Sequence, residues 1–138
     1  MSFINSIPYK LGTSISEINI DLELKKKCTD NLHYYKSYRY SEIFLFERIF
    51  EGNCCLWFNR DVLETINYKF HIKFLSFFEE SINAELPGSK KLLQDPNIKG
   101  VRPYIYINGM AISLAKLNEN YFILLLSCHP SLPIVKPN

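Results

Sequence analysis

Apolar and polar residues alternate along two stretches of the N-terminal half, and a period of two predicts half-buried β-strands. In the first stretch, apolar residues take every second position from Ile18 to Leu24. A helix that begins at Ser14 or Ser16 is the alternative, because the glutamates and lysines nearby are good helix formers. Residues 1–14 show little pattern and are predicted to form an irregular arm.

The second alternating stretch covers residues 38–50 and is followed by residues that favour a turn. Gly52-Asn53 supplies the turn, and Cys54–Phe58 continues as a short apolar run. Together these features predict a β-hairpin over residues 40–58.

Residues 60–86 contain the longest pattern with helical spacing, and they predict a helix. Asn59 is a candidate N-cap, and Leu86-Pro87-Gly88 is a strong stop signal. The apolar positions with helical spacing are Val62, Ile66, Phe70, Phe74 and Phe77. Because Tyr68, Phe70, Ile72 and Phe74 also alternate, a strand within this segment stays open as an alternative.

The C-terminal third predicts three antiparallel strands. Residues 102–107 and 110–117 flank Asn108-Gly109, which is the strongest two-residue hairpin signal. A polar turn then leads into Tyr121–Cys128, whose apolar run is typical of a central strand that is buried on both faces.

These elements predict one α+β domain over residues 1–138. It would consist of an antiparallel β-sheet, made of the N-terminal hairpin and the C-terminal three-stranded meander, packed against a central helical segment. Prolines in residues 129–138 indicate a Pro-rich tail after the last strand. The length of 138 residues is ordinary for a single domain.

Composition and charge exclude several classes of protein. With 47% hydrophobic and 22% charged residues, the chain is not intrinsically disordered. The net charge of +2 is too small for a surface that strongly attracts nucleic acid or membranes. Neither a secretory signal nor a run of about 20 apolar residues is visible, so we expect a cytoplasmic protein without membrane contact.

The four cysteines, Cys28, Cys54, Cys55 and Cys128, lack the spacing that is typical of zinc sites. We therefore expect reduced, buried thiols, with no metal and no cofactor. Known nucleophile and phosphate-binding motifs are also missing, so no catalytic residue is assigned. A small enzyme that uses a Cys or His side chain remains a third hypothesis, which would require a strongly perturbed thiol or imidazole in a pocket.

One cluster of aromatic and basic residues, within residues 33–40, is a candidate for partner binding. Tyrosine and arginine are enriched at the centres of protein interfaces, and rings interleaved with cations can also hold nucleic acid. A solvent-facing strand whose tyrosines cover the edge of the core would show the same pattern. If the stretch is extended, Tyr34, Lys36, Tyr38 and Tyr40 lie on one side. The candidate partner-binding residues are Tyr34, Lys36, Tyr38, Arg39 and Tyr40.

In overall character the chain resembles the small immunity proteins of bacterial toxin systems, such as those of contact-dependent growth inhibition. The resemblance rests on sixteen Ile, twelve Asn and twelve Lys, and on segments such as Asn67–Phe74. It implies a non-catalytic protein that binds a cognate protein toxin as a heterodimer and covers its active site or its substrate-binding surface. A nucleic-acid-binding or regulatory module that uses residues 33–40 together with Lys25–Lys27 is the alternative.

Overall fold

The computed structural model describes residues 2–18, 22–88, 92, 104–107 and 109–128. Seven strands form one sheet in which every pairing is antiparallel, and two further strands form a separate ribbon. The sheet consists of β1 (Leu22–Lys27), β2 (Leu32–Ser37), β5 (Asn53–Asn59), β6 (Val62–His71), β7 (Tyr104–Ile107), β8 (Met110–Lys116) and β9 (Tyr121–Ser127). The ribbon consists of β3 (Glu42–Leu45) and β4 (Arg48–Glu51).

The order of strands in the sheet is β1-β2-β5-β6-β9-β8-β7. The ribbon leaves the sheet between β2 and β5, which are neighbours. A 3-10 turn (Ile72–Phe74) and a helix, α3 (Leu75–Glu85), follow β6. Of the last three strands, β7 lies at the edge of the sheet, β8 lies next to it, and β9 pairs with β6 near the centre.

One face of the sheet, called here the first face, carries the main core. The ribbon, α3 and a short helix α1 (Ser2–Ser6) pack on it. Ile43, Leu45 and Phe50 of the ribbon and Phe78 of α3 are all at most 4% exposed. Burial of such side chains contributes about 1.5–3 kcal/mol each, so this layer is the main source of stability.

The opposite side, called here the second face, is built by the alternate residues of the same strands. Tyr34, Cys55 and Trp57 form one buried apolar group on it, and Ile123 and Leu125 belong to another. Residues 54–58 and 122–127 are therefore buried at every position. The apolar run at 122–126 was predicted to be covered on both faces, and its burial agrees with that prediction.

The structure corrects the predicted hairpin over residues 40–58. The turn lies at Phe46-Glu47, and β5 pairs with β2 and β6 rather than with β4. Both turn residues have positive φ, 51° and 63°, a conformation that sequence rules assign to Asn or Gly. The residue types Phe and Glu therefore give no sequence signal for the position of this turn.

The structure also corrects the predicted helix over residues 60–86. The α-helix covers only Leu75–Glu85, whereas Val62–His71 is the longest described strand of the sheet, in agreement with the alternative that was left open for this segment. The expected N-cap, Asn59, is the last residue of β5, and Arg60-Asp61 forms a hairpin turn with positive φ values of 51° and 64°. Strand β6 lies between two strands and is buried on both faces along most of its length, so it lacks a simple polar alternation.

The N-terminal residues differ from the expectation of an irregular arm. Helix α1 begins at Ser2, and Phe3, Ile7 and Tyr9 are each at most 7% exposed in the main core. The alternating stretch from Ile18 to Leu24 is only partly a strand. Ile15–Ile18 forms one helical turn, α2, in agreement with the alternative of a helix near Ser14 or Ser16, and the strand begins at Leu22. Apolar side chains in this arm are thus part of the folded domain.

The coarse fold prediction is confirmed: the chain is α+β, with an antiparallel sheet and a short helix. The sheet is not divided into a separate N-terminal hairpin and C-terminal meander, because β6 and β9 join all seven strands. The predicted tail, residues 129–138, lies outside the described residues. No helix among the described residues has the length and apolar character needed to cross a membrane.

Candidate functional site

The predicted binding cluster is divided between two sides of the sheet. Strand β2 ends at Ser37 and the chain then turns, so the extended alternation does not continue to Tyr40. Tyr34 lies on the second face, 8% exposed, where its hydroxyl donates to the Cys55 thiol at 2.9 Å. Tyr40 packs instead against Tyr9, with ring centroids 5.4 Å apart and nearly perpendicular planes.

Tyr38 is the most accessible ring of this cluster, with 48% of its surface exposed. Its hydroxyl donates to Glu23 at 2.6 Å, and Lys25 donates to the other oxygen of the same carboxylate at 2.5 Å. The hydrogen bond from Lys25, followed by that from Tyr38, lowers the pKa of Glu23. The ammonium of Lys36 lies 5.0 Å from the centre of the Tyr38 ring. These groups form a polar surface around β1.

Arg39 is exposed and lies over the ring of Tyr40, with the guanidinium carbon 5.7 Å from the ring centre. Tyr9, which also contacts Tyr40, shares a short hydrogen bond with the Ser37 hydroxyl. Burial raises the pKa of Tyr9 to about 12. Tyr40 therefore links the surface arginine to the core. Of the five predicted residues only Tyr38 and Arg39 are exposed, whereas Lys36 and Tyr40 are half-buried.

A second surface was not predicted, and it lies on the outward side of the ribbon. Phe44 and Ile49 pair directly across β3 and β4, and they are 58% and 67% exposed. They are the two most exposed large hydrophobic side chains in the described part of the chain. We call Phe44 and Ile49 the ribbon pair.

Packing of the turn beneath holds the ribbon pair outward. The ring of Phe46 contacts Phe3, Phe77 and Phe78, with centroids between 5.4 and 6.0 Å away. A positive φ costs an ordinary residue roughly 1–2 kcal/mol, which this buried ring packing offsets. With the turn placed at Phe46-Glu47, the alternate residues face inward and Phe44 and Ile49 face solvent.

A groove of about 840 Å³ runs beside the ribbon, between β4 and the end of β6. Its residues are Ser41, Glu42, Ile49, Phe50, Glu51, Gly52, Asn53, Lys69, His71, Lys73, Phe74 and Tyr121. Glu42 and Glu51 lie opposite one another in the register of β3 and β4, on the outward side of the ribbon, and they give this wall negative charge. Lys69 and Lys73 give the opposite wall positive charge. The groove thus has one acidic wall, one basic wall and an apolar rim.

The cations of the groove lie against aromatic rings. The Lys69 ammonium is 4.7 Å from the centre of the Tyr121 ring, and the Lys73 ammonium is 5.0 Å from that of Phe74. Such contacts hold a cation by roughly 0.5–1 kcal/mol at exposed sites while leaving most of its hydrogen-bonding capacity open. The lysines are therefore oriented but able to bind an acidic group.

His71 has a structural task at the edge of the same groove. Its Nδ1 accepts a hydrogen bond from the backbone N–H of Lys73 at 3.1 Å and so caps the 3-10 turn. Because that nitrogen is an acceptor, the other nitrogen, Nε2, carries the proton in neutral imidazole. His71 is thus a hydrogen-bond donor in the groove.

Two of the four cysteines are buried within the sheet. Cys54 and Cys55 are buried on opposite faces, as alternation predicts, and burial raises the pKa of both thiols. Cys28 is exposed, contrary to the expectation that every thiol is buried. In the described residues, no three His, Cys, Asp or Glu side chains come together as a metal site requires.

Sequence reasoning missed the ribbon pair because it placed the turn at Gly52-Asn53. Moving a hairpin turn changes which residues pair and which face each one takes. A turn at residues 46–47 places Ile43, Leu45 and Phe50 on one face of the ribbon, and this apolar set is the signal that could have located the turn. Lys69 and Lys73 lie in the segment that was predicted as a helix, so their location beside the ribbon could not be predicted.

Comparisons with known proteins add no family to these observations: no family model, curated protein or solved structure matches this chain.

Proposed function

We propose that this chain is a non-catalytic binding protein whose partner is another protein. The ribbon pair carries the proposal, since two large apolar side chains lie side by side in solvent on a ribbon that projects from the sheet. An exposed apolar patch with a polar rim is typical of protein interaction sites. The partner would bury Phe44 and Ile49 at the centre of its interface.

The groove supports a partner with charges of both signs. An acidic side chain of the partner would reach Lys69 or Lys73, and a basic one would reach Glu42 or Glu51. Complementary charges at a rim direct association and fix the relative orientation of the two proteins. An uncharged ligand would use only part of this surface.

The resemblance to immunity proteins supports a cognate toxin as that partner. Binding would neutralise the toxin by covering its active site or its substrate-binding surface. The raised pKa values of Cys54, Cys55 and Cys128 support a role without thiol catalysis, because a protonated thiol is a poor nucleophile.

The test is to co-express this chain with the product of the adjacent upstream gene. We expect a tight complex with one copy of each protein, and we expect the chain to relieve the toxicity of that product. If the neighbour is not toxic and the two proteins do not bind, the proposal is wrong.

Variants then locate the interface. Replacing the ribbon pair (Phe44→Ser with Ile49→Ser) should weaken the complex about 30-fold or more, as loss of a central interface contact does. Val62→Ser is the matched control, because Val62 is also apolar and 39% exposed but lies outside the groove. If instead Tyr38→Ala with Arg39→Ala weakens binding and the ribbon variant does not, the originally predicted cluster is the interface.

A nucleic-acid-binding function is the second candidate, and one observation favours it. Strand pairing brings Lys26 opposite Tyr34 and Lys27 opposite His33, so the lysine run adjoins the aromatic cluster. The buried ring of Tyr34 is a weakness of this hypothesis, because a base cannot stack on it. A steep loss of affinity for single-stranded oligonucleotides with added salt, together with weaker binding by Lys26→Ala, would support this function.

A further inference from the structure

Three polar atoms on the second face of the sheet are buried and have no hydrogen-bond partner. They are the side-chain nitrogen and oxygen of Asn67, which is 1% exposed, and the indole nitrogen of Trp57, which is 6% exposed. More than nine in ten buried polar groups in proteins are hydrogen-bonded, and leaving one unpaired costs roughly 1–3 kcal/mol. Three such atoms on one face leave hydrogen-bonding capacity that a small bound molecule would satisfy.

The three atoms lie on neighbouring strands. Asn67 pairs with Cys55 across β5 and β6, and Trp57 pairs with Thr65 one step along the same ladder. Diagonal neighbours of this kind are about 7–8 Å apart. A molecule of a few heavy atoms is therefore large enough to contact both side chains.

The nearby polar side chains do not pair with Asn67 or Trp57, because they already pair with each other. The Cys55 thiol accepts the Tyr34 hydroxyl at 2.9 Å, and the hydroxyls of Thr65 and Ser127 share a hydrogen bond of 2.9 Å. The other neighbours are apolar: Leu125 pairs with Asn67, and the Tyr34 ring lies 5.1 Å from that of Trp57. Apolar walls with a few unpaired polar groups are typical of small-molecule sites.

Two lysines give this site positive charge. Lys36 pairs with Cys55 in the strand register, and Lys69 lies two residues beyond Asn67 on the same face. Both side chains are half-buried, and each ammonium lies over a tyrosine ring. Because the unpaired donors and the cations favour an anion, the site is suited to a carboxylate.

We propose that the second face binds a small carboxylate that also carries a hydrogen-bond donor, such as a hydroxy acid. Asn67 Nδ2 and Trp57 Nε1 donate to the carboxylate oxygens, and Asn67 Oδ1 accepts from the hydroxyl of the ligand. Neither Asn67 nor Trp57 lines the groove beside the ribbon, and Lys69 is the residue that the two sites share.

The single tryptophan of the chain provides a direct readout. We would titrate the ¹⁵N-labelled protein with glycolate, and with acetate as the probe that lacks the hydroxyl. We expect saturable shifts of the only indole N–H signal and of the Asn67 amide signals, with at least about 10-fold tighter binding of glycolate, as one lost hydrogen bond predicts. If neither signal responds to either probe, the unpaired atoms hold water only and the proposal is wrong.

Variants separate this site from other effects. Asn67→Leu removes the unpaired atoms and should abolish the glycolate response while raising the thermal stability of the free protein. Trp57→Phe keeps the ring and removes the donor, so the Asn67 amide signals should respond about 10-fold more weakly. Asn5→Leu, at an exposed asparagine of helix α1, and the ribbon-pair variant should keep the full response. A glycolate response that survives both Asn67→Leu and Trp57→Phe would contradict the proposal.

Discussion

Gly52 joins the ribbon to β5 at a point where the chain approaches β6 very closely. A Cβ atom at this position would lie 2.7 Å from the Lys69 carbonyl oxygen and 2.8 Å from the Phe70 ring. The Gly52 N–H also donates to the Ser41 carbonyl at 2.7 Å, which closes the base of the ribbon. This glycine is therefore needed for close packing and not for a hairpin turn.

Gly52→Ala should lower the free energy of unfolding by about 1–3 kcal/mol, because backbone must move to accommodate the methyl group. Urea denaturation measures the change. Gly88→Ala is the matched control: a Cβ there meets nothing within 4 Å, so its effect should be small or stabilising. If the two variants lowered the free energy of unfolding equally, the close approach of Gly52 to Lys69 would not be the cause of the destabilisation.

Helix α1 is fixed to α3 by one hydrogen bond that joins distant parts of the chain. The backbone N–H of Phe3 donates to the Glu85 carboxylate at 3.0 Å. The first N–H groups of a helix lack partners within the helix, so a carboxylate from a neighbouring element stabilises its start. Glu85 thus holds the N-terminal residues on the core.

Glu85→Ala should therefore lower the free energy of unfolding by about 1–2 kcal/mol, since it removes a partly buried bond to a charged acceptor. Glu85→Gln keeps an acceptor oxygen and should lose less. Glu80→Ala, at an exposed position of the same helix, controls for helix propensity and should change stability by less than about 0.5 kcal/mol. The idea fails if Glu80→Ala and Glu85→Ala destabilise the protein equally in thermal denaturation.

The whole molecule buries several weak acids in their neutral form. Burial raises the pKa of Tyr9 to about 12, and it raises the pKa values of Tyr34, Tyr68, Cys54 and Cys55 as well. In the unfolded chain the thiols lose protons near pH 9 and the phenols near pH 10. Above those values the unfolded state binds fewer protons than the folded state, so stability falls as the pH rises.

We expect the free energy of unfolding to change little between neutral pH and about pH 9 and then to decline through about pH 12. Urea denaturation at steps of pH measures this, with ultraviolet difference absorbance to follow phenol ionisation. Tyr68→Phe and Tyr9→Phe should each make the decline shallower. Tyr38→Phe removes an exposed phenol whose pKa is raised by its hydrogen bond to Glu23 and not mainly by burial, so it should change the slope less. A free energy of unfolding that does not decline above pH 10 contradicts the prediction.

The sequence predicts best where local chemistry determines the conformation. Gly109 has a φ of +76° in the predicted hairpin, and Leu86-Pro87 ends α3 where expected. Turns at Phe46-Glu47 and Arg60-Asp61 were missed because these residues take left-handed conformations only when the surrounding packing holds them there. The candidate binding cluster within residues 33–40 was predicted to lie on one side for a similar reason. Strand β2 ends at Ser37, and this end depends on its pairing with β1 and β5, which lie outside the cluster.

By itself the sequence determined the α+β class, the C-terminal strands and the end of the helix, because each follows from residue types that are close together in the chain. Only the tertiary structure decided that residues 62–71 form a central strand, because a strand buried on both faces shows little alternation. The tertiary structure also decided that Phe44 and Ile49 face solvent while Asn67 and Trp57 are buried, since burial depends on which strands pair.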